Sequence, residues 1–146
     1  MRYQISIDIE KPRCKVIELF NNPDNMKYWQ PGLQSFEHLS GEPGAVGSKS
    51  KLKYKMGKRE IEMIETITEN DLPNRFCGTY EADGVWNSVE NNFVEVDENR
   101  TRWDFETEFR MSGLLMKIMA FLMPGMFKKQ SCEFMEKFKE FAEEKQ

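Results

Sequence analysis

The last third of the chain, Ser112 to Gln146, dictates what everything before it must build. Leu115, Ile118, Met119, Leu122, Met123, Met126 and Phe127 recur at helical spacing, and Phe134, Met135, Phe138, Phe141 and Ala142 resume the same phase beyond Gln130 and Ser131. This is the period of a helix that lays one face on a core. Pro124-Gly125 stands in mid-run, where a residue lacking an N–H and one lacking a Cβ predict a kink or a break into two segments. A single apolar stripe needs a surface to lie on, and the upstream chain reads as a sheet.

Tyr3, Ile5, Ile7 and Ile9 alternate with Gln4, Ser6 and Asp8, the period-two pattern of a half-buried strand. Lys11-Pro12 ends it. Val16, Ile17, Leu19 and Phe20 follow at helical spacing in a segment that Pro12 can open, and after Asn21-Asn22-Pro23-Asp24 a second short helix carries Met26 and Tyr28 toward Trp29. Dense Pro and Gly punctuation from Pro31 to Gly47 leaves Leu33 to Leu39 as a second strand. In strand three Lys49, Lys51, Lys53 and Lys55 form one cationic, solvated face, so Ser50, Leu52, Tyr54 and Met56 point inward. Gly57-Lys58 is a hairpin signal leading into Arg59 to Glu69. There Ile61, Met63 and Ile67 face inward together with Glu65, unless a bulge exchanges Glu65 for Ile64.

Asp71-Leu72-Pro73-Asn74 turns the chain into Arg75 to Ala82, and Asp83-Gly84 is a two-residue hairpin signal. Val85 to Val96 and Thr101 to Arg110 complete seven strands. Trp103, Phe105 and Phe109 fix the inward face of the last one. Strand six shares that face either through Asn87, Val89, Asn91 and Phe93 or through Ser88, Glu90, Asn92 and Val94. The first is preferred, because the second buries a glutamate beside three aromatics.

The length of 146 residues suits one domain, here residues 1–146. With 21 basic against 25 acidic residues and a net charge of −4, the chain lacks the cationic surface that nucleic acid demands. One histidine and three scattered cysteines offer no metal constellation. No Gly-rich phosphate loop is present and no cofactor is indicated. Cys14, Cys77 and Cys132 have no paired spacing and read as small buried hydrophobes in a reducing cytoplasm. The start of the chain lacks a signal peptide's apolar core, and Leu114 to Met123 is about half of what a bilayer-spanning helix needs. Ten Met and 11 Phe make a large interior that can repack around different shapes, or an ordinary Met-rich core.

Four local features mark a resemblance: Trp29 after the second short helix, Gly44-Ala45-Val46-Gly47-Ser48 feeding a strand, Leu72-Pro73-Asn74-Arg75 before strand five, and Asn99-Arg100-Thr101-Arg102-Trp103 opening strand seven. With the order strand, two helices, six strands, helix, the chain resembles the START-like superfamily, in its bacterial polyketide cyclase/dehydrase-like branch. The usual Gly-Gly-Thr of the last turn is Asn99-Arg100-Thr101 here. The resemblance implies an α+β helix-grip fold, a curved seven-stranded antiparallel sheet wrapped around the long C-terminal helix with a cavity between them. It leaves the chemistry open.

In such a cavity Leu52, Tyr54, Met56, Ile61, Met63, Phe93, Trp103, Phe105 and Phe109 form the wall, and Met119 and Met123 close it from the helix. Asn87 and Asn91, with Tyr54 and Glu65, are the inward polar groups that could orient a ligand or pair with each other. Lone His38, on a short strand beside Phe36, reads as a surface residue. The first reading is a carrier of a small hydrophobic, lipid-like or aromatic molecule. The second is a cyclase or dehydratase type of enzyme using Tyr54, Glu65, Asn87 and Asn91. The third is an interaction module docking through Leu114–Met123, by transient membrane contact or as a homodimer. Leu114, Met116 and Phe121 leave that segment apolar almost all round, which favours its sinking between the sheet and the short helices over its exposure.

Overall fold

The computed structural model describes residues 1–123 and 125–145, and all of their side chains except those of Leu115 and Ala120. Strand β1 (Arg2–Ile9) is followed by helix α1 (Arg13–Phe20), a 3₁₀ turn (Pro23–Asn25) and helix α2 (Met26–Trp29). Strands β2 (Leu33–Ser40), β3 (Lys49–Met56), β4 (Arg59–Asp71), β5 (Arg75–Ala82), β6 (Val85–Asp97) and β7 (Arg100–Met111) come next. Helices α3 (Leu114–Leu122) and α4 (Gly125–Glu144) end the chain.

The strands form one antiparallel sheet in the order β1-β7-β6-β5-β4-β3-β2. Each consecutive pair from β2 to β7 is a hairpin or short turn, and only the β1-to-β2 connection crosses the sheet, using the two short helices. Pro12 sits at the N-cap of α1, where its missing N–H costs nothing, and Asn22 caps the 3₁₀ turn by accepting the Asp24 amide at 3.0 Å. Gly32 has φ +91°, and a Cβ there would stand 2.7 Å from the Lys55 carbonyl; this bare approach lets the α2–β2 turn dock on β3.

The register decides both questions left open by the alternation. Asn87 lies opposite Phe109, Asn91 opposite Phe105 and Phe93 opposite Trp103, so the Asn87, Val89, Asn91 and Phe93 face of β6 is the inward one. Ser50 pairs with Glu65 and Leu52 with Met63, and the only irregularity between β4 and β5 falls beyond them, between Ile67 and Glu69. Glu65 therefore faces inward.

The concave face is filled at one end. Ile9, Val16, Leu19, Trp29, Phe93, Trp103, Met135, Phe138, Phe141 and Ala142 form a buried cluster beneath α4. Phe20, the last residue of α1, is its hub, with its ring within about 6 Å of those of Trp29, Phe76, Phe93, Trp103 and Phe138. Each such side chain contributes about 1.5–3 kcal/mol by burial, so this end holds the fold together.

The terminal helix breaks into two segments as expected but departs from expectation in its first half. It is two helices, α3 and α4, with the junction at Met123–Gly125; the expected kink at Pro124 and the place of Leu115 in the stripe lie outside the described residues. The first half of the stripe does not lie on the core, and the segment does not sink into the protein. Ile118, Leu122, Met123 and Met126 are 44%, 69%, 49% and 49% exposed. Gly113, at φ +85°, turns the chain before α3 begins; α3 touches the fold near Gly84 through Met116, and from Phe127 onward α4 packs on the sheet.

Candidate functional site

The far half of the concave face, toward α3, is packed less completely. Met56, Ile61, Met63, Tyr80, Asn87 and Phe109 all point to that side, yet each is only half-buried. Leu52 and Tyr54 are buried there. The start of α4 closes part of the space: Phe127 packs on Phe109 with ring centroids 4.9 Å apart, Tyr3 donates to the Phe127 carbonyl at 3.0 Å, and Gln130 Nε2 meets Met56 Sδ at 3.0 Å. Met119 is half-buried and Met123 half-exposed on the segment that follows β7.

A polar group is set into this apolar wall. Glu65 is 8% exposed and its Oε2 accepts a hydrogen bond from Tyr80 Oη at 2.7 Å. Burial raises the carboxyl's pKa, while the Tyr80 bond opposes the rise. The Tyr80 hydroxyl is itself pushed far up, first by burial and then by the Glu65 charge. Tyr54, pushed up by burial and by Glu65, donates to Gln30 Oε1 at the α2–β2 turn. No ion pair reaches Glu65 among the described residues. A carboxyl with one phenol partner and no cation keeps capacity for a further donor.

The two asparagines are already committed. Asn87 Nδ2 donates to Thr107 Oγ1 at 2.6 Å and to the Glu108 carbonyl at 3.0 Å. Asn91 accepts from Trp103 Nε1 at 2.9 Å and donates to the Phe76 carbonyl at 3.2 Å, so it ties the core tryptophan to β5. Phe93 and Trp103 belong to the filled end. Of the residues expected to line a cavity, Leu52, Tyr54, Met56, Met63, Asn87 and Phe109 share the looser half, and Asn91, Phe93, Trp103 and Phe105 lie toward the filled one.

Tyr80, Gln30 and Thr107 were not singled out by the residue pattern. A signal for Tyr80 existed: with Asp83-Gly84 as a two-residue turn, Tyr80 must stand opposite Asn87, as it does. Gln30 reaches Tyr54 only through the loop fold and had no such signal. His38 is exposed on the edge strand β2, opposite Ser50, with Nε2 2.7 Å from the Gly41 carbonyl. Cys14 is exposed and Cys132 half-buried, against expectation; only Cys77 is buried, because flanking Arg75 and Glu69 cover it on the convex side. Surface hollows of about 330 and 370 Å³ lie at the β5–β6–β7 rim and on the convex face. Neither includes Glu65. Among the described residues no group of three or more His, Cys, Asp or Glu could hold a metal ion, and no helix is long and apolar enough to cross a membrane.

Residues 1–143 match a family described as polyketide cyclase / dehydrase and lipid transport. The chain belongs to this family. The polyketide cyclase/dehydrase fold recurs in solved structures of low sequence identity. A conserved protein from Geobacillus kaustophilus superposes with TM-score 0.81 at 17% identity, over 97% of this chain and 95% of that one. The Zhui aromatase/cyclase from Streptomyces sp. R1128 does so with 0.82 at 13%, over 98% and 93%. Norcoclaurine synthase from Thalictrum flavum, solved with dopamine and hydroxybenzaldehyde, gives 0.73 at 15%, over 100% and 88%. No curated protein matches the chain. At these identities the neighbours establish the helix-grip fold of this family member and nothing about its chemistry.

Proposed function

We propose that this polyketide cyclase/dehydrase-family chain is a single-domain binding or carrier protein, acting in the cytoplasm, for a small hydrophobic molecule with one polar group. The observation that carries the reading is the contrast between the two halves of one concave face. Inward side chains are closed under α4 but remain half-buried at Met56, Ile61, Met63, Asn87 and Phe109. Apolar walls with a few placed polar groups suit a lipid-like or aromatic body, and Glu65 with Tyr80 suits a hydroxyl or another donor on it. Met119 and Met123 then complete the wall from the helix side, while Asn91, Phe93 and Trp103 form its floor. Extraction and mass analysis of what copurifies, followed by titration of a fluorescent apolar probe, test this. Wild type binds the probe; Met63→Trp, which fills the space, loses it at unchanged melting temperature. A wild-type protein that copurifies empty and takes up no probe overturns the reading.

A second reading is a cyclase or dehydratase type of enzyme, and the Glu65–Tyr80 contact is what favours it. A buried carboxyl of raised pKa held by a phenol is equipped to give and take a proton beside a bound carbonyl compound. Turnover of an aromatic polyketide-like substrate that Glu65→Gln abolishes, with probe binding retained, separates enzyme from carrier.

A further inference from the structure

We propose that α3 and the start of α4 form a docking surface for an anionic lipid bilayer. Leu114, Ile118, Phe121 and Leu122 stand at i, i+4, i+7 and i+8 and so share one face of α3. That face points to solvent: the four are 76%, 44%, 85% and 69% exposed. Met116 and Met119, on the opposite face, are the half-buried ones. The helix, apolar almost all round, thus leaves one apolar stripe uncovered, and Met123 and Met126 extend the exposed apolar run across the junction.

The charge around the stripe selects the partner. The chain carries 25 acidic residues against 21 basic ones, yet Phe109 to Cys132 contains no acidic residue and four basic ones, Arg110, Lys117, Lys128 and Lys129. Arg110 is engaged with Glu108 and lies over the Trp86 ring. Lys117, Lys128 and Lys129 are exposed, and the lysine ion pairs of the described residues lie elsewhere, at Lys15, Lys51, Lys53 and Lys139. An isologous dimer through this face would set lysines against lysines, with no carboxylate in the segment to answer them. A bilayer with anionic head groups meets both demands, taking the apolar stripe into its acyl boundary and the lysines at its charged surface. Nine residues of helix are far short of a span, so the contact is interfacial.

Docking does not depend on the carrier reading: a protein that copurifies empty and yet binds vesicles loses that reading and keeps this one. The full chain is sedimented with phosphatidylcholine vesicles, with and without phosphatidylglycerol. Binding is expected only with phosphatidylglycerol and should weaken as salt rises. Phe121→Asp with Leu122→Asp should reduce it about tenfold or more, and Lys117→Glu with Lys128→Glu and Lys129→Glu should remove its lipid-charge dependence. All five positions are exposed, so circular dichroism and melting should not change; Phe121→Gln repeats the test without added charge and should also weaken binding. Three results overturn the proposal: equal binding to both vesicle types, sedimentation of the Phe121 variants as wild type, or a wild-type dimer in solution that the Phe121/Leu122 pair of changes converts to monomer.

Discussion

Tyr80 on β5 and Glu65 on β4 stand directly opposite each other in the sheet, and the tyrosine hydroxyl donates to Glu65 Oε2 at 2.7 Å. Among the described residues the pair is the one place on the concave face where a carboxyl is buried without a cation.

That arrangement makes stability depend on pH through Glu65. Burial raises its folded pKa above that of the unfolded chain, so native protein binds the proton more tightly. The stabilisation is complete below the unfolded value of about 4.3 and is lost as pH rises through the raised folded value. Glu65→Gln keeps a neutral group of the same shape. Urea midpoints should therefore show the variant gaining on wild type between about pH 4 and about pH 7; a difference that is the same at both pH values refutes the assignment.

Asn91 holds both Trp103 Nε1 and the Phe76 carbonyl at a 5% exposed position. Asn91→Ala leaves an indole N–H buried without an acceptor and should cost about 2 kcal/mol or more. Chemical denaturation measures it. A loss below about 0.5 kcal/mol, the usual surface scatter, means that Trp103 finds another partner.

The two terminal helices should respond oppositely to truncation. Phe138 is fully buried in the aromatic cluster, and Phe138→Ala should cost about 3–5 kcal/mol. Phe121, 85% exposed, should tolerate alanine within about 0.5 kcal/mol. Parallel thermal melts of the two variants check both, and comparable losses would mean that the Phe121 side chain packs on the protein.

Thiol labelling should separate the cysteines. The Cys77 thiol is pushed up to about 11, chiefly by burial, with Glu69 adding to the rise and Arg75 opposing it. Cys14 is exposed on α1. At about pH 8 a thiol reagent should modify Cys14 first and reach Cys77 only with unfolding, as peptide mass mapping would show.

Much of this molecule was readable before any coordinates. Period-two alternation at Tyr3 to Ile9, at Lys49 to Met56 and at Trp103 to Phe109 named strands and faces together, because a strand in a one-sided sheet cannot slip by one residue without turning its apolar set to water. Turn chemistry at Asp83-Gly84 and Gly57-Lys58 set the hairpins, and the stripe from Phe127 to Ala142 set α4. Glu65 and β6 were ambiguous for a local reason: a bulge or an odd turn inverts a face, and neither is visible in residue types alone.

By itself the sequence determined the element order and the inward direction of Leu52, Tyr54, Met56, Met63 and Phe109, since these follow from short-range periodicity; the helix-grip class came with the family resemblance. Only the tertiary structure decided that Asn91 is committed to Trp103, that Tyr80 rather than an asparagine answers Glu65, and that Phe93 and Trp103 lie at the filled end. It also decided the fate of α3. A segment apolar almost all round has no preferred phase of its own, so whether its stripe is covered depends on where Gly113 aims the chain and on how much of the sheet α4 already occupies.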